Sequence, residues 1–166
     1  MPDALLPSFS VALVTSPSHF DRMRGLLEAA GAYVIPLLTP AARRVFQPAH
    51  VESVIVVADE SGAELDVSTC ALIQRHRALG THRLVGSVGH RLSELRRAGI
   101  DLEPHHTSLD LFLHGRPAAL VSSDELVLAS NDEALEPFVS AFARAARRHA
   151  SLADTLPPTL RSALAS

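Results

Sequence analysis

The 166-residue chain contains no lysine and no tryptophan, and its single cysteine is Cys70. Without lysine, the chain cannot form a P-loop nucleotide site or a Schiff base, and no lysine can serve as a catalytic base. A single cysteine cannot make an intrachain disulfide, which favours a reducing compartment, and we expect the cytoplasm. No apolar run approaches the roughly 20 residues of a membrane-spanning helix, and the first residues lack the basic start of a secretion signal. We therefore expect no membrane association.

Positive charge is scarce and comes from arginine alone. The 15 arginines are outnumbered by 18 acidic residues, so the net charge is −3 and the calculated isoelectric point is about 6.3. Binding to nucleic acid through phosphate neutralisation requires a basic surface, so we expect no nucleic-acid partner. Hydrophobic residues make up 47% of the chain and charged residues 20%, which is the balance of a compact soluble protein.

The chain has the length of one ordinary domain, which can bury a core without disulfides or metals. We predict a single domain over residues 1–166, with its core at about 9–149 and a C-terminal tail at 150–166. Met1 would suit the native start of a complete protein. The abrupt first strand at Phe9 would equally suit a domain cut from a longer chain.

Short apolar runs rich in β-branched residues alternate with helical patterns over the first hundred residues. The runs predict strands at residues 9–15, 32–38, 51–58 and 83–88, and those at 9–15 and 51–58 are expected to be buried. Helical spacing follows at residues 18–30, 65–79 and 92–98. Pro36 assigns the second run to a sheet edge or a strand end, and residues 39–50 are expected to be a connection. This alternation predicts the α/β class, as a three-layer flavodoxin-like sandwich with a mainly parallel sheet.

Beyond residue 100 the pattern changes to short strands joined by turns. They are predicted at residues 111–113, 118–121 and 126–128, and we expect a late short hairpin there. Asn131 or Asp132 is then expected to cap a long helix. The predicted inner face of this helix comprises Leu135, Phe138, Val139, Phe142 and Ala146. Near its expected end, the helix dipole would be complemented by Arg144, Arg147 and Arg148.

Ligands of parallel α/β sheets bind at the carboxyl ends of the strands, so candidate binding residues are expected in the turns that follow the strands. The first turn, residues 16–19, has no glycine that would let the backbone approach a pyrophosphate, and we expect Ser18 to cap the next helix. Asp59 and Glu60 end the third predicted strand, where a phospho-accepting receiver domain carries its aspartate. The other acidic residues and the lysine of a receiver are missing. We therefore expect a solvated turn that caps the next helix, with a pseudo-receiver signalling domain as an alternative.

The fourth predicted strand ends in residues 86–90, which match only part of the G-x-S-x-G nucleophile elbow. Ser87 and His90 could form an activated hydroxyl. Side chains three residues apart across such a turn are nevertheless expected to face each other poorly. The weak catalytic candidates are Ser87, His90 and Glu60.

Nine histidines raise the question of a metal site. His105 and His106 adjoin, but no pair of histidines or cysteines has the spacing of a known ligand motif. We therefore expect scattered, solvent-facing histidines, no metal and no cofactor. Cys70 is spaced from Val67 and Ile73 like a residue of an apolar helix face, so core packing is its expected role.

Several segments together resemble the ThiJ/PfpI superfamily, which has the class I glutamine-amidotransferase-like fold. The similar segments are residues 11–15 (VALVT), 26–32 (LLEAAGA), 51–57, 81–90, 92–100 and 124–130. They resemble the first strand and helix of the family, its third strand, the strand and helix of its catalytic elbow, and a late strand. The likeness covers about residues 9–149 and is strongest to the C-terminal domain of large-subunit catalases.

The resemblance implies loss of catalysis, because the residues that enzymes of the superfamily use are replaced. Val88 stands where these enzymes place their cysteine, and Ser18 and His19 stand where the first turn supplies a glutamate. Asp59 and Glu60 replace a pair of glycines. The resemblance therefore implies a catalytically silent domain, like that of the catalases, which is associated with stability, chaperone-like behaviour and the stress response.

We expect the protein to act by association, either as a homo-oligomer such as a dimer or with a protein partner, through an exposed helix or an edge strand. The alternative from a different class is a small hydrolase or amidotransferase-like enzyme with an atypical elbow at Ser87.

Overall fold

The computed structural model of the protein describes residues 9–59, 64–80, 83–100, 119–122, 126–129 and 132–155. The strands are β1 (Phe9–Val14), β2 (Ala32–Leu37), β3 (Ser53–Val57), β4 (Leu84–Val88), β5 (Ala119–Ser122) and β6 (Leu126–Ala129). The α-helices are α1 (Pro17–Ala29), α2 (Pro40–Val45), α3 (Val67–Ala78), α4 (Leu92–Arg97) and α5 (Leu135–Thr155). Short 3₁₀ turns precede β3 and α5, at Pro48–His50 and Asp132–Ala134. Within these described ranges, no helix is long and apolar enough to cross a membrane.

The six strands form one sheet in the order β2-β1-β3-β4-β6-β5. Five of them run parallel, and β5 pairs antiparallel with β6. The order of the parallel strands is that of flavodoxin-like folds, and its direction reverses between β1 and β3. The predicted α/β class is therefore confirmed, and β5 and β6 form the late hairpin. The strand predicted at residues 111–113 lies outside the described residues.

Helices cover both faces of the sheet, because side chains along each strand alternate between the faces. In β1, Val11 and Leu13 belong to one apolar cluster, whereas Ala12 and Val14 belong to the other. The first cluster includes the buried helix residues Met23, Leu27, Phe138 and Phe142. The second includes Leu72, Ile73 and Leu95. The three layers are therefore α1 with α5, the sheet, and α3 with α4.

Gly86 allows α5 to approach β4 closely. A Cβ atom at this position would lie 2.7 Å from Cζ of Phe138 and 2.9 Å from Cε2 of Phe142. Both rings are fully buried and stack on each other, with centroids 5.8 Å apart. Any larger residue at position 86 would therefore push the final helix away from the sheet.

Two predictions about the first half of the chain are wrong. The N-cap of α1 is Ser16 and not Ser18, since the helix begins at Pro17. Residues 39–50 were expected to be a connection, yet they contain α2, whose first N–H groups are capped by Thr39. The Thr39 hydroxyl accepts a hydrogen bond from the Ala42 N–H at 3.2 Å, and Pro40 suits the first helical position. Pro36 lies in β2, at the edge of the sheet, as predicted.

The start of α3 also differs from its prediction. Asp66 is the N-cap, so the turn at Asp59 does not cap this helix. The Asp66 carboxylate accepts hydrogen bonds from the Thr69 N–H and from the hydroxyls of Ser68 and Thr69. Cys70 consequently lies in the first turn of α3, half-buried against the second apolar cluster. Val67, predicted to share its apolar face, is 85% exposed.

The final helix agrees well with its predicted inner face. All five predicted residues are buried: Leu135, Phe138, Val139, Phe142 and Ala146. The helix continues to Thr155, so Arg144, Arg147 and Arg148 do not lie in its last turn and cannot complement its C-terminal dipole. Instead, the Arg147 guanidinium donates to the carbonyl oxygen of Ala30, at the end of α1, at 2.5 Å.

Candidate functional site

The carboxyl ends of β1, β3, β4 and β6 lie at one edge of the sheet, where flavodoxin-like folds place their ligands. Backbone hydrogen bonds extend the strand pairing into the loops at this edge. The Ala58 N–H donates to Val88 O, and the Gly89 N–H donates to Ala129 O, each at 2.9 Å. The residues that follow these strands therefore start from well-defined positions.

Ser87 and His90 meet at this edge. The distance between Ser87 Oγ and His90 Nδ1 is 3.1 Å, which is within hydrogen-bond reach. The expectation that they face each other poorly is therefore wrong. The reason lies in Gly89, whose φ of 80° turns the chain so that His90 folds back over the end of β4. Only glycine adopts such a backbone conformation without a steric cost.

The turn is nevertheless not a nucleophile elbow. In an elbow, the nucleophile itself lies on a strained turn that exposes its reactive atom. Here Ser87 lies in regular strand pairing, opposite Val56 on one side and Leu128 on the other, and only 1% of it is exposed. Val88, which the resemblance aligns with a catalytic cysteine, is the last residue of β4 and packs in the first apolar cluster.

The environment of His90 keeps its imidazole neutral at physiological pH. Burial lowers the pKa of His90 from 6.5 to about 4, although the negative charges of Glu94 and Asp59 oppose the shift. Within the described part of the chain, neither carboxylate hydrogen-bonds to the imidazole. Glu94 Oε2 accepts from the Leu65 N–H at 3.2 Å and pairs with Arg97 at 3.1 Å. Ser87 and His90 thus form a neutral pair rather than part of a charged triad.

Glu60, the third weak catalytic candidate, lies outside the described residues, as do His105 and His106. The neighbouring Asp59 lies on an exposed turn, and its carbonyl oxygen accepts a hydrogen bond from His19 Nε2 at 3.3 Å. This bond connects the loop after β1 with the loop after β3, at the point where the strand order reverses.

A second buried histidine was missed by the sequence analysis, which expected solvent-facing histidines. His76 is fully buried under α3, and its Nε2 is 3.1 Å from the carbonyl oxygen of Leu84. Burial lowers its pKa to about 4. The helical spacing contained the signal, because position 76 follows Leu72 by four residues and Ile73 by three, on the same buried face.

The described residues contain no group of three or more histidine, cysteine, aspartate or glutamate side chains that could hold a metal ion. Cys70 is also poorly suited to nucleophilic chemistry, since burial raises the pKa of its thiol although Arg97 opposes the shift.

The fold defines the protein as a flavodoxin-like α/β domain with a buried serine–histidine pair at the carboxyl edge of its sheet. The chain matches no protein-family model, and no curated protein is significantly similar to it.

Proposed function

We propose that the protein is a catalytically silent domain of the ThiJ/PfpI type, most like the C-terminal domain of large-subunit catalases, and that it acts by protein association in the cytoplasm. The burial of Ser87 carries the proposal. A hydrolytic serine must present its hydroxyl to a substrate, whereas Ser87 is 1% exposed and held in regular strand pairing.

The Ser87–His90 pair has a structural role in this proposal. Its hydrogen bond joins the end of β4 to the loop that leads into α4. Because both groups are neutral, the pair avoids the large desolvation cost of a buried ion pair. The bond therefore holds the loop in place without preparing an attacking group.

The architecture of the sheet favours this proposal over a pseudo-receiver. A pseudo-receiver would have a simple five-stranded parallel sheet, whereas a ThiJ/PfpI-like domain would carry extra short strands between residues 109 and 130. The described sheet has a sixth strand, β5, within that segment, and it is antiparallel to β6.

Association through a helix fits the surface better than association through the edge strand. Pro36 lies in β2, and without an N–H it weakens the free edge as a template for another strand. The exposed large apolar side chains of the described residues are Tyr33 in β2, Val45 in α2 and Val67 in α3. The proposed partner is a second copy of the chain or another protein, with no nucleic acid and no cofactor.

Covalent labelling tests the proposal that Ser87 is not a catalytic nucleophile. The purified chain is treated with a fluorophosphonate probe and with activated ester and amide substrates, beside Ser87→Ala and a matched control, Ser53→Ala, which also removes a buried strand hydroxyl. We expect no label on Ser87 and the same background turnover in all three proteins. Label and turnover that are lost only in Ser87→Ala would overturn the proposal.

Association is tested by light scattering coupled to gel filtration, and by suppression of the aggregation of a heat-denatured enzyme. A mass of at least two chains of 17.7 kDa each supports association, as does suppression of the enzyme's aggregation at a stoichiometric ratio. A monomer at high micromolar concentration that suppresses no aggregation contradicts it.

A small hydrolase or amidotransferase-like enzyme is the second candidate, and the 3.1 Å distance between Ser87 Oγ and His90 Nδ1 favours it. A neutral imidazole at this distance can accept the proton of a serine hydroxyl. This second candidate requires the carboxyl edge of the sheet to open around Ser87, since the Ser87 hydroxyl is buried. The labelling experiment separates the two proposals.

A further inference from the structure

The buried titratable side chains are distributed unevenly between the two helical layers. Among the residues whose burial is described, the only buried titratable groups are His76 and His90. Both lie on the side of the sheet that α3 and α4 cover. His76 belongs to α3, and His90 bonds to Ser87, which shares a strand face with Val85 of the second apolar cluster. The layer of α1 and α5 has no counterpart within the described residues.

The hydrogen bond of His76 fixes the tautomer of its imidazole. A carbonyl oxygen can only accept, so Nε2 carries the proton that it donates to Leu84 O. Nδ1 is then a bare acceptor. It is buried and has no hydrogen-bond partner in the described part of the chain. A second proton would therefore have to be placed on Nδ1, in a site that offers no acceptor for it.

The charges around His76 oppose protonation. Arg77 on α3 and Arg83 at the start of β4 both disfavour a positive imidazole. The Glu52 carboxylate acts on Arg83, whose guanidinium donates to Val51 O. Arg75, also on α3, is bonded to the carbonyl oxygens of Arg43 and Phe46 at the end of α2. The hydrogen bond to the Leu84 carbonyl favours the charged form of His76 but does not outweigh the effect of burial.

His90 has a milder environment at the other end of β4. Glu94 from α4 and Asp59 after β3 favour its protonation, and burial opposes it. The Ser87 hydroxyl can accept a hydrogen bond from a protonated Nδ1, so the cost of charging His90 comes from its burial and not from loss of this bond. His76 thus joins α3 to the start of β4, and His90 joins the loop before α4 to the end of β4.

We propose that His76 and His90 form an acid-sensitive latch, which keeps α3 and α4 on the sheet while both imidazoles are neutral and releases this layer when they become charged. Release would uncover the apolar face formed by Val54, Val56 and Val85. The layer of α1 and α5 would stay in place, because the part of its core whose burial is described contains no histidine. The latch does not depend on the proposed function.

Hydrogen–deuterium exchange of the full chain, measured by mass spectrometry between pH 7 and pH 4, tests the latch. Exchange is normalised to the rates of the unfolded chain. Each histidine that is neutral when packed and charged when released lowers protection by about tenfold per pH unit below 6.5. We expect peptides of α3 and α4 to lose protection with this steepness, ahead of peptides from α1 and α5.

Variants identify the groups responsible. His76→Gln retains a side-chain N–H for the Leu84 carbonyl but does not titrate in this range. The loss of exchange protection in α3 peptides should therefore become about tenfold smaller per pH unit than in the wild-type chain. The matched control is His50→Gln, at an exposed position, and it should leave the profile unchanged. His90→Asn provides the second comparison if His76→Gln does not fold.

Equal loss of protection in both layers of the wild-type chain would overturn the latch, since this result would indicate global unfolding. An unchanged slope in the folded histidine variant would also overturn it. The wild-type comparison between layers is decisive even if neither variant folds.

Discussion

Removal of the Ser87 hydroxyl is the most informative perturbation of the site. Ser87→Ala deletes a hydrogen bond between two neutral, buried groups, which contributes about 1 kcal/mol on its own. It also leaves His90 Nδ1 buried beside a methyl group, and an unsatisfied buried polar atom costs about 1–3 kcal/mol. We therefore expect Ser87→Ala to lower the free energy of unfolding by about 1–3 kcal/mol while it changes no catalytic activity. Urea unfolding followed by circular dichroism measures the change.

Two further variants control this measurement. Ser93→Ala, on the exposed side of α4, should have nearly no effect or stabilise slightly. Ser87→Ala combined with His90→Leu should be less destabilised than the sum of the single changes, because no polar group is then left without a partner. A loss below about 0.5 kcal/mol in Ser87→Ala, or strictly additive effects in the double variant, would refute the structural role that we assign to the pair.

Three other predictions concern packing, capping and pH. Gly86→Ala should destabilise the fold by about 1–3 kcal/mol through overpacking. Adding Phe142→Leu to this variant should restore part of the lost stability, as measured by thermal unfolding. Asp66→Ala should cost about 1–2 kcal/mol and increase amide exchange in the first turn of α3, and a change confined to other helices would contradict its role as N-cap. The pKa values of His76 and His90 are lower in the folded chain than in the unfolded chain, so the unfolded chain binds more protons between pH 6.5 and about 4. Stability should therefore fall as the pH drops through this window, by up to about 3 kcal/mol for each histidine, and a flat profile in denaturant titrations would contradict the assigned burial.

Strands and helix ends were the most predictable parts of the fold. The four apolar runs of the first hundred residues correspond to β1, β2, β3 and β4. β1, β3 and β4 are interior strands that need apolar side chains on both faces, whereas β2 lies at the sheet edge and is partly exposed. Gly31 and Gly99 end α1 and α4 with positive φ angles, as their positions after apolar helical patterns indicate. Local signals of this kind depend only on residues within a few positions of each other.

Helix starts were less predictable, because several residues compete for the same role. Ser16 and Ser18 are both good capping residues, and their hydroxyls even hydrogen-bond to each other at 2.8 Å. Pro17 decides between them, since proline is favoured in the first turn of a helix. Asp66 similarly supersedes the acidic turn at Asp59, which lies too far from the first turn of α3 to cap it.

The sequence by itself determined the α/β class, the position of Pro36 at a sheet edge and the inner face of the final helix. Only the tertiary structure decided that Ser87 meets His90 and that His76 bonds to the carbonyl oxygen of Leu84. Their contacts depend on the turn at Gly89 and on how α3 packs over β4, and neither follows from the spacing of residues along the chain. A residue pattern specifies which side of an element is apolar, but the hydrogen-bond partner of a buried polar group is determined by the neighbouring element that packs against it.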